Sequence, residues 1–186
     1  MQTEYEARFL DIDPAEIIDQ LKSRGARQTM PRTLMRRIVF VNDAIEARGG
    51  WVRLRQQGER TFLTYKQVAN GGPSAIDSIL EAEAEVVNFD ATRVLVEAMG
   101  FTAKRYQENY REEWQLDSVT YDIDTWPDLP TYLEVEGTDE QAVRTAAADL
   151  GLDPATASYG SVDEVYRTIL GRDILAEPSL TFSEAP

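Results

Sequence analysis

The sequence predicts an α+β protein with about eight strands, enough to close into a β-barrel with side chains or one small ligand inside, and with helices packed outside it. Three observations carry this. Eight segments alternate with a period of two, four helical stretches have recognisable ends, and 186 residues that are 42% apolar suit one core rather than two.

The first strand is TEYEARFL (3–10), where Glu4, Glu6 and Arg8 alternate with Tyr5, Ala7 and Phe9. Asp13-Pro14 with Glu16 then opens a helix over 14–24 that stops at Gly25. RRIVFV (36–41), WVRLRQ (51–56), TFLTYKQV (61–68) and ILEAEAEVV (79–87) read as strands by their alternation and their Val, Ile, Thr and aromatic content. Between the last two, VANGGPSA (68–75) is a turn by its Gly-Gly-Pro. Asp90 opens a helix over 91–99 that ends at Gly100, and KRYQENYREEWQL (104–116), SVTYDIDT (118–125) and TYLEVEG (131–137) complete the strands. Thr138 with Gln141 opens 139–150, and Ser161 with Glu164 opens 162–170. AEPSLTFSEAP reads as a loosely held tail, which gives one domain over 1–172 and a tail at 173–186.

Composition removes whole classes of chemistry. The chain has no Cys and no His, which excludes disulfides, thiolate nucleophiles, thiolate metal sites and histidine-based triads. Any reaction must rest on carboxylates, Lys, Arg, Tyr or a hard metal ion. With 19 basic and 33 acidic residues the net charge is -14, which argues against a nucleic-acid duplex as partner. The first residues carry an acid and lack the pattern of a secretory leader, and no apolar run is long enough to span a bilayer. A cytoplasmic protein without a membrane partner is the expectation, as monomer or homodimer.

The charged strand faces are sorted by sign. Glu4 with Glu6, then Glu81, Glu83 and Glu85, then Asp122 with Asp124, then Glu134 with Glu136 are acidic at alternate positions. Arg53 with Arg55, Lys66, and Arg105 with Arg111 are basic on theirs. A strand face that meets only water normally mixes its signs. Converging carboxylates suit Mg²⁺ or Mn²⁺, hard ions that share their coordination with phosphates. Guanidinium and ammonium groups would grip the remaining phosphate oxygens. Of the pair Arg36-Arg37 only one can face inward. Trp126, beside Pro127 and Pro130, reads either as a plug at the barrel end or as an aromatic lip that stacks a base.

Taken in order, these motifs resemble the CYTH family, the triphosphate tunnel metalloenzymes. The signature is an N-terminal ExExK-type strand (Glu4, Glu6, Arg8), an LRLR-like strand (Arg53, Arg55), TYK (Lys66), an acidic ExE strand, a basic strand near 104–111 and a closing EVE. The resemblance implies an antiparallel barrel whose tunnel binds a triphosphate with Mg²⁺ or Mn²⁺. Family activities are hydrolysis of inorganic or thiamine triphosphate and class IV adenylate cyclisation, so the implied partner is tripolyphosphate, thiamine triphosphate or ATP. A barrel that binds a nucleotide or polyphosphate without turnover is the alternative. The resemblance implies metal ligation by Glu4, Glu6, Glu83, Glu85, Asp124, Glu134 and Glu136. It implies phosphate contacts from Arg8, Arg53, Arg55, Lys66, Arg105 and Arg111, with Arg8 and Lys66 catalytic. Arg8 stands where the signature has Lys, and Gln107 where a second base of its strand is expected.

Overall fold

The computed structural model describes residues 2–10, 12–68 and 79–183. The strands are β1 (Gln2–Phe9), β2 (Arg27–Val41), β3 (Gly50–Gln57), β4 (Arg60–Val68), β5 (Ile79–Val86), β6 (Thr102–Leu116), β7 (Val119–Thr125), β8 (Tyr132–Gly137) and a short β9 (Ser179–Leu180). The helices are α1 (Pro14–Ser23), α2 (Asp43–Glu46), α3 (Phe89–Ala98), α4 (Glu140–Asp149) and α5 (Val162–Leu170). Strands run β2-β3-β4-β5-β1-β8-β7-β6, and β6 pairs back onto β2, so eight antiparallel strands close a barrel. The expected turn at 68–75 lies outside the described residues except for Val68.

This barrel is inverted relative to an ordinary core. Tyr5, Ala7 and Phe9 of β1, Leu133 and Val135 of β8, and Tyr121 and Ile123 of β7 point outward and pack in one cluster with Ile17 and Leu21 of α1 and with Val143, Ala146 and Ala147 of α4. On the far side Ile38, Phe40 and Leu54 pack against Phe89 and Val96 of α3. The apolar positions thus require helices outside, because the interleaved positions are charged and face the lumen.

Three boundaries differ from the sequence reading for identifiable reasons. Strand β2 begins nine residues before 36, because Pro31, which donates no ladder hydrogen bond, sits at a register shift between Met30 and Thr33. Helix α3 is capped by Asn88, whose side chain accepts from Ala91 N at 2.8 Å, and not by Asp90. Helix α4 likewise takes its cap from Asp139, one residue after Thr138.

The C-terminal stretch is a correction. Residues from Asp173 to Leu180, expected in a loose tail, are packed: β9 lies parallel on β6 at Tyr106 and Gln107, and Ile174 and Leu180 are buried. They join Trp126, Leu129, Tyr132, Val165 and Tyr166 in an apolar cluster at the end of the barrel that carries the β7–β8 turn. The Tyr166 hydroxyl donates to the Pro127 carbonyl, and Arg172 pairs with Asp128 at 2.7 Å.

Candidate active site

The lumen is a cavity of about 660 Å³ lined by residues from all eight barrel strands and by the first residues of α5. In a ring of eight strands, β1 and β8 lie four places from β2 and β3, so the two pairs face each other across the tunnel. That places Glu4, Glu6, Glu134 and Glu136 opposite Arg37, Arg53 and Arg55.

On the acidic wall, Glu6 is level with Glu136, Arg8 with Glu134, and Asp122 with Glu134. These carboxylates pair with cations of the protein itself. Lys66 Nζ lies 2.7 Å from both Glu4 and Glu81. Arg8 Nη2 lies 2.6 Å from Glu6 and 2.7 Å from Glu134. Arg111 holds Asp122, Asp124 at 2.7 Å and Glu134 at 3.1 Å. Glu136 has no ion-pair partner among the described residues. Burial first, then the charges of Glu134 and Glu6, push its carboxyl up to about 7. Glu4 is pushed by burial to about 8 even against Lys66. Glu134 is the reverse case: burial opposes ionisation, but Arg8 and Arg111 outweigh it and hold the group at about 2.

The basic wall has surplus positive charge. Arg37 and Arg55 are register partners, as are Val39 and Arg53. Arg53 and Arg55 share one carboxylate, Glu83, at 3.5 and 3.4 Å. Arg37 donates to Asn109 Oδ1 and lies 4.6 Å over the Trp126 ring. Burial, then Arg53, Arg55 and Arg111, bring the Arg37 guanidinium well below its usual range, and burial and Arg53 bring Arg55 to about 10. The Nε groups of Arg37, Arg53 and Arg55 are buried without a hydrogen-bond acceptor. Three crowded, under-bonded guanidiniums are a site for a polyanion.

The structure gathers Glu4, Glu6, Arg8, Arg53, Arg55, Lys66, Glu83, Arg105, Arg111, Asp124, Glu134 and Glu136 on the lumen. Glu85 is the exception. It pairs with Arg60 at 2.8 Å outside the cavity, both side chains more than half exposed, because alternation fixes a residue's side of the sheet but not its depth along a tilted strand. The residues assigned as metal ligands and phosphate contacts did not include Arg37, Glu81 and Asp122, which also line the lumen. The last two stand two residues from assigned acids, and Arg37 is identified by its register with Arg55 and Gln107, whereas Arg36 points outward over Phe89. Gln107 is buried and faces the lumen. Trp126 is 3% exposed, packs in the apolar end cluster and also lines the cavity beneath Arg37.

The CYTH domain profile matches residues 2–164, all eight barrel strands with α4 and the start of α5. The chain belongs to the CYTH domain family. Among solved structures, a candidate adenylate cyclase from Vibrio parahaemolyticus aligns with a TM-score of 0.75 at 13% identity, covering 88% of this chain and 97% of that one. The PH1012 protein of Pyrococcus horikoshii OT3 aligns at 0.68 and 18% identity over 83% and 93%. HpAC1 from Hippeastrum, a candidate adenylyl cyclase described as having a dominant triphosphatase activity, aligns at 0.59 and 14% identity over 96% and 100%. At these identities the likeness carries the CYTH fold. Curated protein sequences give no significant match.

The CYTH lumen fits a hard divalent ion by donor chemistry, since its acidic wall offers oxygen ligands alone. Among the described residues no three carboxylates already converge on one point. Their present partners are Arg8, Lys66 and Arg111, from which an ion would have to draw them. No helix among the described residues is long and apolar enough to cross a membrane.

Proposed function

We propose that this chain is a divalent-metal-dependent enzyme that hydrolyses a triphosphate held inside the barrel. The observation that carries the reading is the opposition of an acidic β1–β8 wall to the under-bonded guanidiniums of Arg37, Arg53 and Arg55 across one cavity. Cavity size supports it, since 660 Å³ accommodates a phosphate chain together with an organic substituent.

Phosphoryl transfer asks the protein chiefly to position groups and neutralise charge, which this inventory does without His. Glu4, Glu6, Glu134 and Glu136 would hold Mg²⁺ or Mn²⁺, with Asp124 and Glu83 as further carboxylates. A bound ion supplies charge neutralisation and polarisation of the phosphoryl oxygens. Arg37, Arg53 and Arg55 hold the phosphate oxygens from the opposite wall. Lys66 and Arg111, once their carboxylates turn away, direct their charge at the same chain, and Arg105 extends the grip toward α5. The apolar cluster around Trp126 would limit water at that end of the barrel.

Adenylate cyclisation is the second reading, favoured by the fold shared with the Vibrio parahaemolyticus protein. The test is incubation with tripolyphosphate, thiamine triphosphate, GTP and ATP, each with Mg²⁺ or Mn²⁺, and separation of the products. Orthophosphate release supports the triphosphatase, and cyclic AMP with pyrophosphate supports the cyclase. Absence of turnover with every substrate and both ions refutes the enzyme reading.

A further inference from the structure

Among the lumen cations Arg8 combines two carboxylate partners with a backbone carbonyl, whereas Arg105 has the Leu175 carbonyl and no carboxylate. Lys66 and Arg111 are bonded by carboxylates alone, which a bound ion would draw away. The Arg8 fork is divided: Nη2 bridges Glu6 and Glu134, while Nη1 donates to the Gly160 carbonyl. The Arg8 main chain bonds the same segment, its N–H to Ser158 O at 2.9 Å and its C=O to Ser158 N at 2.8 Å. Gly160 precedes Ser161, the N-cap of α5, and Gly160 to Glu164 line the cavity.

We infer that Arg8 is a positioning residue: it fixes the Glu6 and Glu134 carboxylates and latches them to the 158–160 segment that seats α5 at the tunnel end. This rests on the metal-dependent triphosphate reading. The charge arrangement argues the same way. Two carboxylates pair with Arg8, so it offers an anion less than Arg53 and Arg55, which share only Glu83, or than Arg37, which donates to Asn109 and has no carboxylate partner among the described residues. A backbone carbonyl is not removed by an ion, so the Nη1 bond persists when the acids are drawn to a metal. The planar fork is what spans both directions; an ammonium places all its donors on one atom. An arginine at this position of the first strand therefore has a structural reason in this chain.

The experiment compares Arg8→Lys and Arg8→Met with the parent protein by three readouts. Amide hydrogen exchange of peptides covering 158–164, without ligand, is expected to quicken at least tenfold in Arg8→Met and less in Arg8→Lys. Mn²⁺ binding followed by electron paramagnetic resonance is expected to weaken at least fivefold in Arg8→Lys, where the competing charge stays but the latch is lost; unchanged affinity there overturns the positioning of Glu6 and Glu134. Tripolyphosphate binding in the presence of chelator is expected to stay within twofold in Arg8→Lys, and turnover to fall in kcat with KM little changed. Unchanged exchange in Arg8→Met overturns the latch. A tenfold loss of metal-free tripolyphosphate affinity in Arg8→Lys, whose charge and fold are kept, makes Arg8 a phosphate contact and overturns the assignment. The exchange measurement needs no ligand, so the latch stands or falls even where the parent protein binds no triphosphate.

Discussion

Glu136→Gln separates the cost of crowding carboxylates on the acidic wall from the gain of binding a cation there. Glu136 rises from 4.5 to about 7 because it is buried beside Glu134 and Glu6. At about 1.4 kcal/mol per tenfold change in proton affinity that is about 3 kcal/mol, and the partial solvent contact of the side chain reduces it to about 2 kcal/mol. The sign follows from linkage: the folded protein binds this proton more tightly than the unfolded chain. Its stabilisation is complete below about pH 4.5 and lost as pH rises through about 7. A neutral Gln carries no such loss. In chelator at pH 8 the variant should therefore melt about 4–8 °C above the parent, converging with it toward pH 4.5. With excess Mn²⁺ the order should reverse, because the parent gains a ligand that the variant lacks. Scanning calorimetry at pH 5 and pH 8, with chelator and with Mn²⁺, provides the measurement. A variant less stable than the parent at pH 8 in chelator, or equal stabilisation of both by Mn²⁺, refutes the reasoning.

Arg37→Met should lower tripolyphosphate affinity at least tenfold by titration calorimetry, while thermal stability without anion hardly falls, since Arg53 and Arg55 no longer repel a buried charge. Glu85→Gln should keep tripolyphosphate turnover within twofold of the parent, because Glu85 pairs with Arg60 outside the cavity; a loss beyond tenfold would return it to the site. Leu180→Ala should cost about 2–4 kcal/mol in urea denaturation, as Leu180 is 2% exposed in the end cluster; a loss below about 0.5 kcal/mol would mean the C-terminal stretch is not docked.

The strands were legible because each carries alternation, and the sorting of charge by strand was legible because it is written in residue types. Depth and register were not. EAEAE reads as three equivalent acids, yet Glu81 sits against Lys66, Glu83 lies under Arg53 and Arg55, and Glu85 is outside. Only the pairing of β2 with β3 and β6 decides between Arg36 and Arg37. Pro31 hid more than the first half of β2, because a bulge that tolerates proline leaves no local sign distinguishing it from a loop. The docked C-terminus was missed for a related reason: two strand residues and scattered apolar side chains have no period to detect.

Along β1 the residues that bind the chain to its helices and those that could do chemistry alternate one by one, Tyr5, Ala7 and Phe9 against Glu4, Glu6 and Arg8. Adhesion is thereby written in one set of positions and reactivity in the other, interleaved but facing opposite directions. Selection, or a designer, can rewrite the lumen for a different anion without touching the surface that holds the barrel to α1 and α4.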